Sequence, residues 1–422
     1  MHCRLRNQGN NSNWRKSYRR SIHQLLQRKR NLHGIYRNSA SNILKASKNL
    51  KFLKVTKEDF MIYYLGGYLQ QFWGPARLLQ SYIVLISLTL YSGFFLSFKL
   101  IPKMYKFLPH DRGREFTINA EVAKGKPTGA GVIFITMFVL LCIIFVPLNF
   151  FQCGIIFLTW ITMLTGFLDD KSISSWGEYL KGFLDLVICV AASILIYNLL
   201  LKMNPEGKIV FWIPFVSGTP ENNFGIIVHP AVFFAISIIV LWVSINVTNC
   251  SDGVDGLSGT LVLIALITLG IIFYFVLGHI DITKYLQIPH IKDGAGWASI
   301  TFTLAGVLMG YLWHNAFPSS VLMGDAGSRA LGFFIGSMVI ISCNPFLFIA
   351  TSTIMFLNGG TGLLKVFLLR FFKIKIFSKV RFPLHDHLRK NKGWSPTQVL
   401  IKFMIMQILI TIATIGILLK VR

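Results

Sequence analysis

Long stretches without charged side chains dominate the chain after residue 80, and short polar segments separate them. Six stretches each have the length of one membrane-spanning helix: 81–98, 183–201, 222–251, 256–280, 294–324 and 403–419. The stretches 130–168 and 330–364 are long enough for two helices each, with polar breaks near Asn149 and Asn344. Because lipid cannot hydrogen-bond exposed backbone, such spans are helical. The pattern predicts an all-α polytopic membrane protein with about ten transmembrane helices.

The composition agrees with this fold class. Hydrophobic residues make up 53% of the 422 residues and charged residues only 14%, whereas an ordinary soluble domain carries about 25% charged residues. These values exclude a soluble globular enzyme and a disordered chain. The six cysteines form no CxxC pair and indicate neither a disulfide framework nor a metal centre.

The positive charges after residue 80 sort by loop. Loops that follow the odd-numbered predicted helices hold 19 Lys and Arg residues, against 4 in the loops after the even-numbered ones. Cytoplasmic loops are enriched in Lys and Arg. The distribution therefore predicts that the odd loops are cytoplasmic and that both chain termini lie outside.

Residues 1–60 are a basic N-terminal extension with 15 Lys and Arg and only two acidic residues, Glu58 and Asp59. Such a segment should resist translocation, which conflicts with an outside N-terminus. Three interpretations compete: a transit-like presequence, a tail that binds anionic lipid headgroups, or non-native upstream sequence with translation starting at Met61. The third is favoured, and residues 61–422 then form a single membrane-embedded domain.

Acidic residues collect at helix ends on the predicted cytoplasmic side. Asp169 and Asp170 end the third helix, and Asp325 follows the seventh within a turn of small residues. Adjacent carboxylates become tolerable beside a cation, and a few oxygen ligands suit Mg²⁺. The structural alternative is a boundary pair and a helix N-cap. The sorting to one side favours a single cytoplasmic active-site cleft.

Two further polar clusters lie on the same predicted side. Asp252 and Asp255 follow the fifth helix near Asn249, where carboxylates and amides suit a base edge or a ribose hydroxyl; helix capping is the alternative. His385 and His387 lie in a basic loop before the last helix. Basic neighbours fit a diphosphate better than zinc, for which no third ligand is near, and a lipid-facing polybasic loop is the alternative.

The loop 99–129 carries Lys124 and Lys126 just before the sequence Pro127-Thr-Gly-Ala-Gly131. These lysines could contact phosphate, or they could be positive-inside charge alone. Taken singly, each lysine fits the second interpretation better.

In order, spacing and sidedness, these pieces resemble the polyprenyl-phosphate N-acetylhexosamine-1-phosphate transferase superfamily, and within it the phospho-N-acetylmuramoyl-pentapeptide transferase branch. The motifs that carry the resemblance over about residues 61–422 are Lys124–Gly131, Gly166–Asp170, Asn246–Leu257, Asn315–Pro318, Met323–Ser328, Pro383–His387 and Lys392–Trp394. The chain departs from the family pattern at Asp386, where a histidine is usual, and at Leu322, where an aromatic residue is common.

The resemblance implies transfer of phospho-N-acetylmuramoyl-pentapeptide from UDP to undecaprenyl phosphate, which gives lipid I and UMP for peptidoglycan synthesis. It implies Mg²⁺ as cofactor, a multi-pass protein of the bacterial inner (plasma) membrane and a homodimer, with UDP-N-acetylmuramoyl-pentapeptide, undecaprenyl phosphate and membrane lipid as partners and no nucleic acid.

The resemblance also suggests residue roles. Asp325, with Asp170 close by, would hold Mg²⁺, and Asp169 would act as base or orient the lipid phosphate. His385 and His387 would contact the diphosphate or sugar. The substrate-binding candidates are Lys124, Lys181, Asn249, Asp252, Asp255, Asn315 and Gly324.

Three rival functions differ from this one. The nearest is a superfamily member that transfers GlcNAc-1-phosphate from UDP-GlcNAc to polyprenyl phosphate. An ion-coupled transporter would place acids near the middle of broken helices, whereas most acids here lie at helix ends. A non-catalytic scaffold would not need Asp and His clustered on one side.

Overall fold

The computed structural model describes residues 62–111, 113, 124–172, 174, 176–204, 206–216 and 225–420. The interpretations of residues 1–60 lie outside these described residues. The domain boundary at residue 60 therefore stays a prediction.

The described part of the chain consists mainly of helices joined by short connections. In chain order the α-helices are α1 (Ile62–Leu69), α2 (Tyr82–Met104), α3 (Gly131–Phe145), α4 (Phe150–Lys171), α5 (Glu178–Met203), α6 (Pro230–Cys250), α7 (Leu257–Ile271), α8 (Ile280–Leu286), α9 (Gly294–Asn315), α10 (Gly324–Ile341), α11 (Leu347–Met355), α12 (Thr361–Phe372), α13 (Leu384–Lys392) and α14 (Pro396–Lys420). Short 3₁₀ turns lie at Gly74–Gln80 and Tyr105–Phe107, and π-helical turns extend α7 over Ile272–Leu277 and join α11 to α12 over Phe356–Gly360.

Eight helical segments of the described residues are long and apolar enough to cross a membrane. They are Tyr82–Phe107, Phe150–Lys171, Glu178–Met203, Pro230–Cys250, Leu257–Leu277, Gly294–Asn315, Leu347–Phe372 and Pro396–Leu419. The predicted polytopic all-α class is confirmed. The other two predicted spans correspond to the shorter helices α3 and α10, so the count of ten, the cytoplasmic side and the outside termini remain predictions.

Both predicted breaks inside long apolar stretches are present. Asn149 is the N-cap of α4: its side chain accepts a hydrogen bond from the backbone of Gln152, and the Gln152 side chain accepts one from the backbone of Asn149. This reciprocal arrangement satisfies two otherwise unpaired backbone N–H groups and defines where α4 begins. At the second break, α10 ends at Ile341 and α11 begins at Leu347, with Asn344 in the turn.

The segment between α5 and α6 contains a short β-hairpin. Strands β1 (Val210–Phe211) and β2 (Ile226–Ile227) pair antiparallel, with Val210 opposite Ile227 and Phe211 opposite Ile226. Trp212 follows β1 and donates a hydrogen bond from its ring nitrogen to the carbonyl of Ser342. The hairpin is thereby held against the α10–α11 turn.

Helix α10 lies at the centre of the bundle, and every one of its residues is buried. Small residues allow close approach, as at Gly332, where an added Cβ would come within 2.4 Å of the Ser244 carbonyl in α6. The Ser244 hydroxyl donates to the Gly332 carbonyl at 2.6 Å. Membrane helices associate largely through such close packing and interhelical hydrogen bonds.

The predicted seventh and eighth spans differ from the structure in their bounds. The apolar stretch predicts one helix over 294–324, but α9 ends at Asn315 and α10 begins at Gly324. The connection 316–323 carries no charged residue, so a count of charged residues could not separate it from a helix. Its backbone instead pairs with another loop: Leu322 N donates to the Pro127 carbonyl.

Helix α11 is broken before it reaches α12. Ser352 has non-helical backbone angles, and Gln407 of α14 compensates for the disturbed ladder. Its side chain accepts a hydrogen bond from Ile354 N at 2.8 Å and donates one to the Ala350 carbonyl at 3.1 Å. Backbone groups at membrane depth require such internal partners.

Candidate active site

The end of α4 and the starts of α5 and α10 bring two carboxylates onto one ammonium group. The Lys181 Nζ lies 2.5 Å from Asp169 Oδ2 and 3.0 Å from Asp325 Oδ2. The side chains of both acids are at most 6% exposed, whereas that of Lys181 is 27% exposed. A partly accessible cation therefore bridges two nearly buried anions that are far apart in sequence. Trp176 N also donates to Asp169 Oδ1 at 2.7 Å.

Asp170 holds the start of α10. Its two carboxylate oxygens each accept a hydrogen bond of 3.0 Å, one from Asp325 N and one from Ala326 N. The first amides of a helix lack partners within the helix, and a negative charge beside them is favourable. Asp170 thus caps α10 from another helix and sets the position of Asp325.

Glycines let these elements come together at backbone contact. A Cβ on Gly166 of α4 would lie 2.4 Å from the Asp325 carbonyl oxygen, and one on Gly131 would lie 2.1 Å from Gly327 N. Gly324 has a φ of +69°, and a Cβ there would come within 2.3 Å of Asp170 Oδ2. Larger residues at these positions would separate α3, α4 and α10.

A second group of polar side chains surrounds Ser319, in the connection between α9 and α10. Asp255 Oδ2 accepts a hydrogen bond from Ser319 N at 3.0 Å, and Lys126 Nζ donates to Ser319 Oγ at 3.1 Å. Lys126 Nζ lies 3.9 Å from Asp255 Oδ2, and both side chains are 19% exposed. This acid and this base are therefore reachable from solvent.

Asn315 ties two loops together. Its side chain accepts a hydrogen bond from Gly256 N at 2.9 Å and donates one to the Val321 carbonyl at 2.8 Å. The residue is 3% exposed. The geometry therefore favours a role in holding the loop that carries Asp255, and the predicted contact with uridine stays a prediction.

His385 is buried, with 2% of its surface exposed. Its backbone N–H donates to Asn358 Oδ1 at 2.9 Å, and its Nδ1 lies 3.0 Å from the same oxygen. Because an amide oxygen only accepts hydrogen bonds, Nδ1 carries the proton and Nε2 is left as an acceptor. Burial, with a smaller contribution from the Arg389 charge, lowers the pKa of His385 to about 4. The imidazole is therefore neutral at pH 7.

The His385 ring reaches the loop before α7. A Cβ on Gly253 would lie 2.4 Å from His385 Nε2, so glycine is required where this loop crosses the ring. His385 is thereby placed behind the segment that carries Asp252 and Asp255.

The remaining predicted residues lie around this framework. His387 Nδ1 accepts a hydrogen bond from Arg381 N at 3.4 Å, and Lys124 is exposed at the entry to the 124–131 segment. Asn249 and Asp252 are half-buried at the end of α6, where Asp252 N donates to the Asn249 carbonyl.

Backbone hydrogen bonds join the group of side chains around Lys181 to the group around Ser319. Ala130 N donates to the Leu322 carbonyl, and Gly131 N donates to that of Met323. The segment after Lys126 is thus paired with the segment that leads into Asp325. Loops that are distant in sequence form one polar site at one end of the bundle.

Several residues of the site are not among the catalytic or binding candidates predicted from the sequence. Lys126, Ser319 and Asn358 contact Asp255 or His385 directly. The sequence signal for Lys126 was present in Lys124-Gly-Lys-Pro127, but nothing local distinguishes Lys126 from Lys124. Ser319 and Asn358 carry no signal, since their partners are set by packing.

The oxygen donors of the site fit a magnesium ion. Among the described residues no three His, Cys, Asp or Glu side chains converge on one point. Mg²⁺ uses one or two carboxylates together with water and substrate phosphates. Of the two predicted ligands, Asp325 already contacts one cation, the Lys181 ammonium, which it shares with Asp169. Asp170 lies beside it, with both oxygens accepting hydrogen bonds from the first amides of α10.

The fold and site define a multi-pass helical membrane protein whose polar site is built from Asp, Lys, Asn and His side chains on loops at one end of the bundle. Residues 151–343 match the model of glycosyl transferase family 4.

Relatives specify the family. The phospho-N-acetylmuramoyl-pentapeptide-transferases of two Treponema pallidum strains, one of them strain Nichols, are each 54% identical over 356 residues, which is 84% of this chain and 95% of the relative. The enzyme of that name from Campylobacter jejuni strain 81116 is 32% identical over 293 residues, which is 67% of this chain and 78% of the relative. The chain belongs to the phospho-N-acetylmuramoyl-pentapeptide-transferase family.

Proposed function

We propose that this protein transfers phospho-N-acetylmuramoyl-pentapeptide from UDP to undecaprenyl phosphate. The products are undecaprenyl-diphospho-N-acetylmuramoyl-pentapeptide (lipid I) and UMP. The observation that carries the proposal is the 54% identity over 95% of a relative named for this activity, together with the carboxylates and lysine at the helix ends.

The architecture suits two substrates of opposite character. The sugar nucleotide is water-soluble and anionic, whereas the prenyl chain of the acceptor requires hydrocarbon. A polar site at the end of a hydrophobic bundle gives both substrates access to one place. The distribution of Lys and Arg supports a cytoplasmic site and outside termini in a bacterial plasma membrane, and the resemblance supports a homodimer.

The reaction is a displacement at phosphorus. An oxygen of the lipid phosphate forms a bond to the β-phosphorus of the sugar nucleotide, the bond from that phosphorus to the bridging oxygen breaks, and UMP leaves with both electrons of that bond. The lipid phosphate is mostly ionised at neutral pH, as its second pKa is about 6. It therefore needs orientation more than deprotonation, and direct attack in one step suffices.

The charged residues of the site would position the anionic groups of the two substrates. Lys181 forms ion pairs with both Asp169 and Asp325 and is exposed enough to meet a phosphate. Asp169 orients the attacking phosphate through that shared ammonium. Lys126 and Asp255 are available for the nucleotide beside Ser319. His385, being buried and neutral, supports the loop with Asp252 and Asp255 while His387 lies nearer solvent.

Asp325, with Asp170 close by, would hold Mg²⁺. The cation would neutralise the diphosphate and the charge that develops on leaving UMP. Asp170 also maintains the start of α10, so its loss affects the position of Asp325 as well as charge.

Purified full-length protein tests the proposal. It is incubated with undecaprenyl phosphate and either UDP-N-acetylmuramoyl-pentapeptide or UDP-GlcNAc, with Mg²⁺ or with EDTA, and the lipid product and UMP are measured. We expect product only with the muramoyl nucleotide and Mg²⁺. Product only from UDP-GlcNAc supports the rival transferase, and product in EDTA contradicts the metal assignment.

Variants test the site within the same assay. Asp169→Asn and Asp325→Asn are expected to abolish transfer while the protein stays folded. The control is Glu206→Gln, since Glu206 forms an exposed ion pair with Lys208 in the hairpin segment. A variant of Asp169 or Asp325 with turnover like the Glu206→Gln control removes that residue from the mechanism.

A further inference from the structure

A second ion pair lies one helical turn away from the Lys181–Asp325 pair. Arg329 Nη2 of α10 is 2.5 Å from Asp185 Oδ1 of α5, and both side chains are 2% exposed. Asp185 is also the one charged residue within the apolar stretches that the sequence predicts to span the membrane. Buried charges in membrane spans are costly and face the bundle interior in pairs.

The two pairs form a ladder whose charges alternate. On α5, Lys181 precedes Asp185 by four residues, and on α10, Asp325 precedes Arg329 by four residues. Side chains four apart lie on the same helix face. Each charge therefore has an oppositely charged neighbour across the interface and another along its own helix, and Lys181 also pairs with Asp169. In the structure, the ion pairs form between α5 and α10, as Lys181–Asp325 and Asp185–Arg329.

With this alternation, Arg329 has two possible ion-pair partners, Asp185 and Asp325. Its Nη1 has no hydrogen-bond partner within the described part of the chain, so the guanidinium keeps a donor for another acceptor. A buried guanidinium that loses its partner retains the cost of its desolvation. Without a charge at residue 185, the carboxylate nearest along α10 is that of Asp325.

We propose that Asp185 is a positioning residue that binds Arg329 and thereby keeps the Asp325 carboxylate available to Lys181 and to the divalent cation. By the same reasoning, Arg329 keeps Asp185 from drawing Lys181 away from Asp325. The inference rests on the metal assignment under Proposed function. It adds that the metal affinity of the site depends on a pair one turn deeper in the bundle.

Substitutions of Asp185 and of Arg329 are expected to change the affinity for the divalent cation in opposite directions. Asp185→Asn frees Arg329 to bind Asp325, which competes with the cation. Arg329→Met frees Asp185 to bind Lys181, which releases Asp325. A pair that only stabilises the fold would instead make both variants less stable and change their metal requirement in the same direction.

The test uses full-length protein in detergent and two measurements. The Mg²⁺ concentration for half-maximal turnover is determined for each variant, and binding of Mn²⁺ is measured from the loss of the free-ion electron paramagnetic resonance signal. We expect Asp185→Asn to raise both half-saturation values at least about tenfold, equivalent to about 1.4 kcal/mol. Arg329→Met should not raise them, and Asp185→Asn with Arg329→Met should lie within about threefold of wild type, or about 0.65 kcal/mol.

Unchanged metal dependence in Asp185→Asn overturns the inference, as does an equal increase in Arg329→Met. If Asp185→Asn does not yield folded protein, Arg329→Met and the double variant decide, and a raised half-saturation value in either one overturns the inference. An active wild-type protein that needs no divalent cation contradicts the metal assignment instead, so the two failures are distinguishable.

Discussion

The Lys181 ammonium lies 3.0 Å from a carboxylate oxygen of Asp325, although 144 residues separate them in sequence. Lys181→Met would leave Asp325 and Asp169 without their shared cation. Removal of one preorganised group that stabilises charge in an active site costs about a hundredfold or more in rate. We expect such a fall in kcat/KM for lipid product formation.

The control for this prediction is Lys181→Arg, which keeps the charge. Because a planar guanidinium differs in shape from an ammonium, Lys181→Arg should retain more activity than Lys181→Met without reaching wild type. Equal turnover of Lys181→Met and wild type would contradict a role for this lysine.

Gly324→Ala tests the close contact between α10 and Asp170. The substitution combines a φ of +69° with a Cβ only 2.3 Å from Asp170 Oδ2. Strain at a positive φ costs about 1 kcal/mol or more, and the collision adds displacement of Asp170. We expect a lower apparent melting temperature in detergent and reduced transfer.

Gly207→Ala is the matched control for Gly324→Ala. Gly207 has a φ of +62° and nothing within 4 Å of an added Cβ, so it measures the backbone strain alone. Gly324→Ala should lose more stability than Gly207→Ala. Equal losses would mean that α10 tolerates displacement of Asp170.

Asn315→Ala would leave Gly256 N–H and the Val321 carbonyl without their side-chain partner. Each unsatisfied buried group costs about 1–3 kcal/mol, so the apparent melting temperature should fall clearly. The control is Asn204→Ala, since Asn204 also bonds two backbone groups but in a solvent-exposed segment. If both variants lose the same stability, Asn315 does not act as a buried tie between loops.

Two substitutions of Asp255 separate the contribution of its hydrogen bond with Ser319 from that of its ion pair with Lys126. Asp255→Asn keeps an oxygen that can accept from Ser319 N, but it loses the attraction to Lys126, whereas Asp255→Ala loses both. We expect KM for the sugar nucleotide to rise in both variants and to rise more in Asp255→Ala. An equal increase would assign the whole effect to the charge.

His385 gives a pH dependence of stability. Its pKa falls from the ordinary value of 6.5 to about 4 in the folded protein, so between these values the unfolded chain binds more protons. Stability is therefore expected to fall as pH drops from about 6.5 to about 4, by at most about 3 kcal/mol. Unfolding in denaturant at pH 7, 5.5 and 4.5 measures this loss.

The His385→Gln variant should lack that part of the pH dependence. The neighbouring Asp386 has a pKa raised by burial, which contributes in the opposite direction near the acidic end, and the variant comparison removes this common effect. The exposed His229 supplies the control through His229→Gln. A wild-type pH dependence in His385→Gln would show that other groups cause it.

The sequence by itself determined the helices and the residues with chemistry to offer. Apolar stretches longer than about 17 residues form spans because lipid leaves the backbone no other way to satisfy its hydrogen bonds. Asn149 and Asn344 marked real breaks because polar side chains at helix ends bind free backbone groups. The uncharged segment 316–323 was assigned to a helix, since charge alone does not record a loop–loop pairing.

The tertiary structure decided which chemical groups meet. Asp169, Asp170 and Asp325 look alike along the chain, yet Asp169 and Asp325 share the Lys181 ammonium, whereas Asp170 caps α10. Lys126 rather than Lys124 reaches Ser319, and Arg329 pairs with Asp185 rather than with its own-helix neighbour. Local sequence sets the face on which a side chain lies, but packing between helices sets its distance to a partner, and electrostatic interaction depends on that distance.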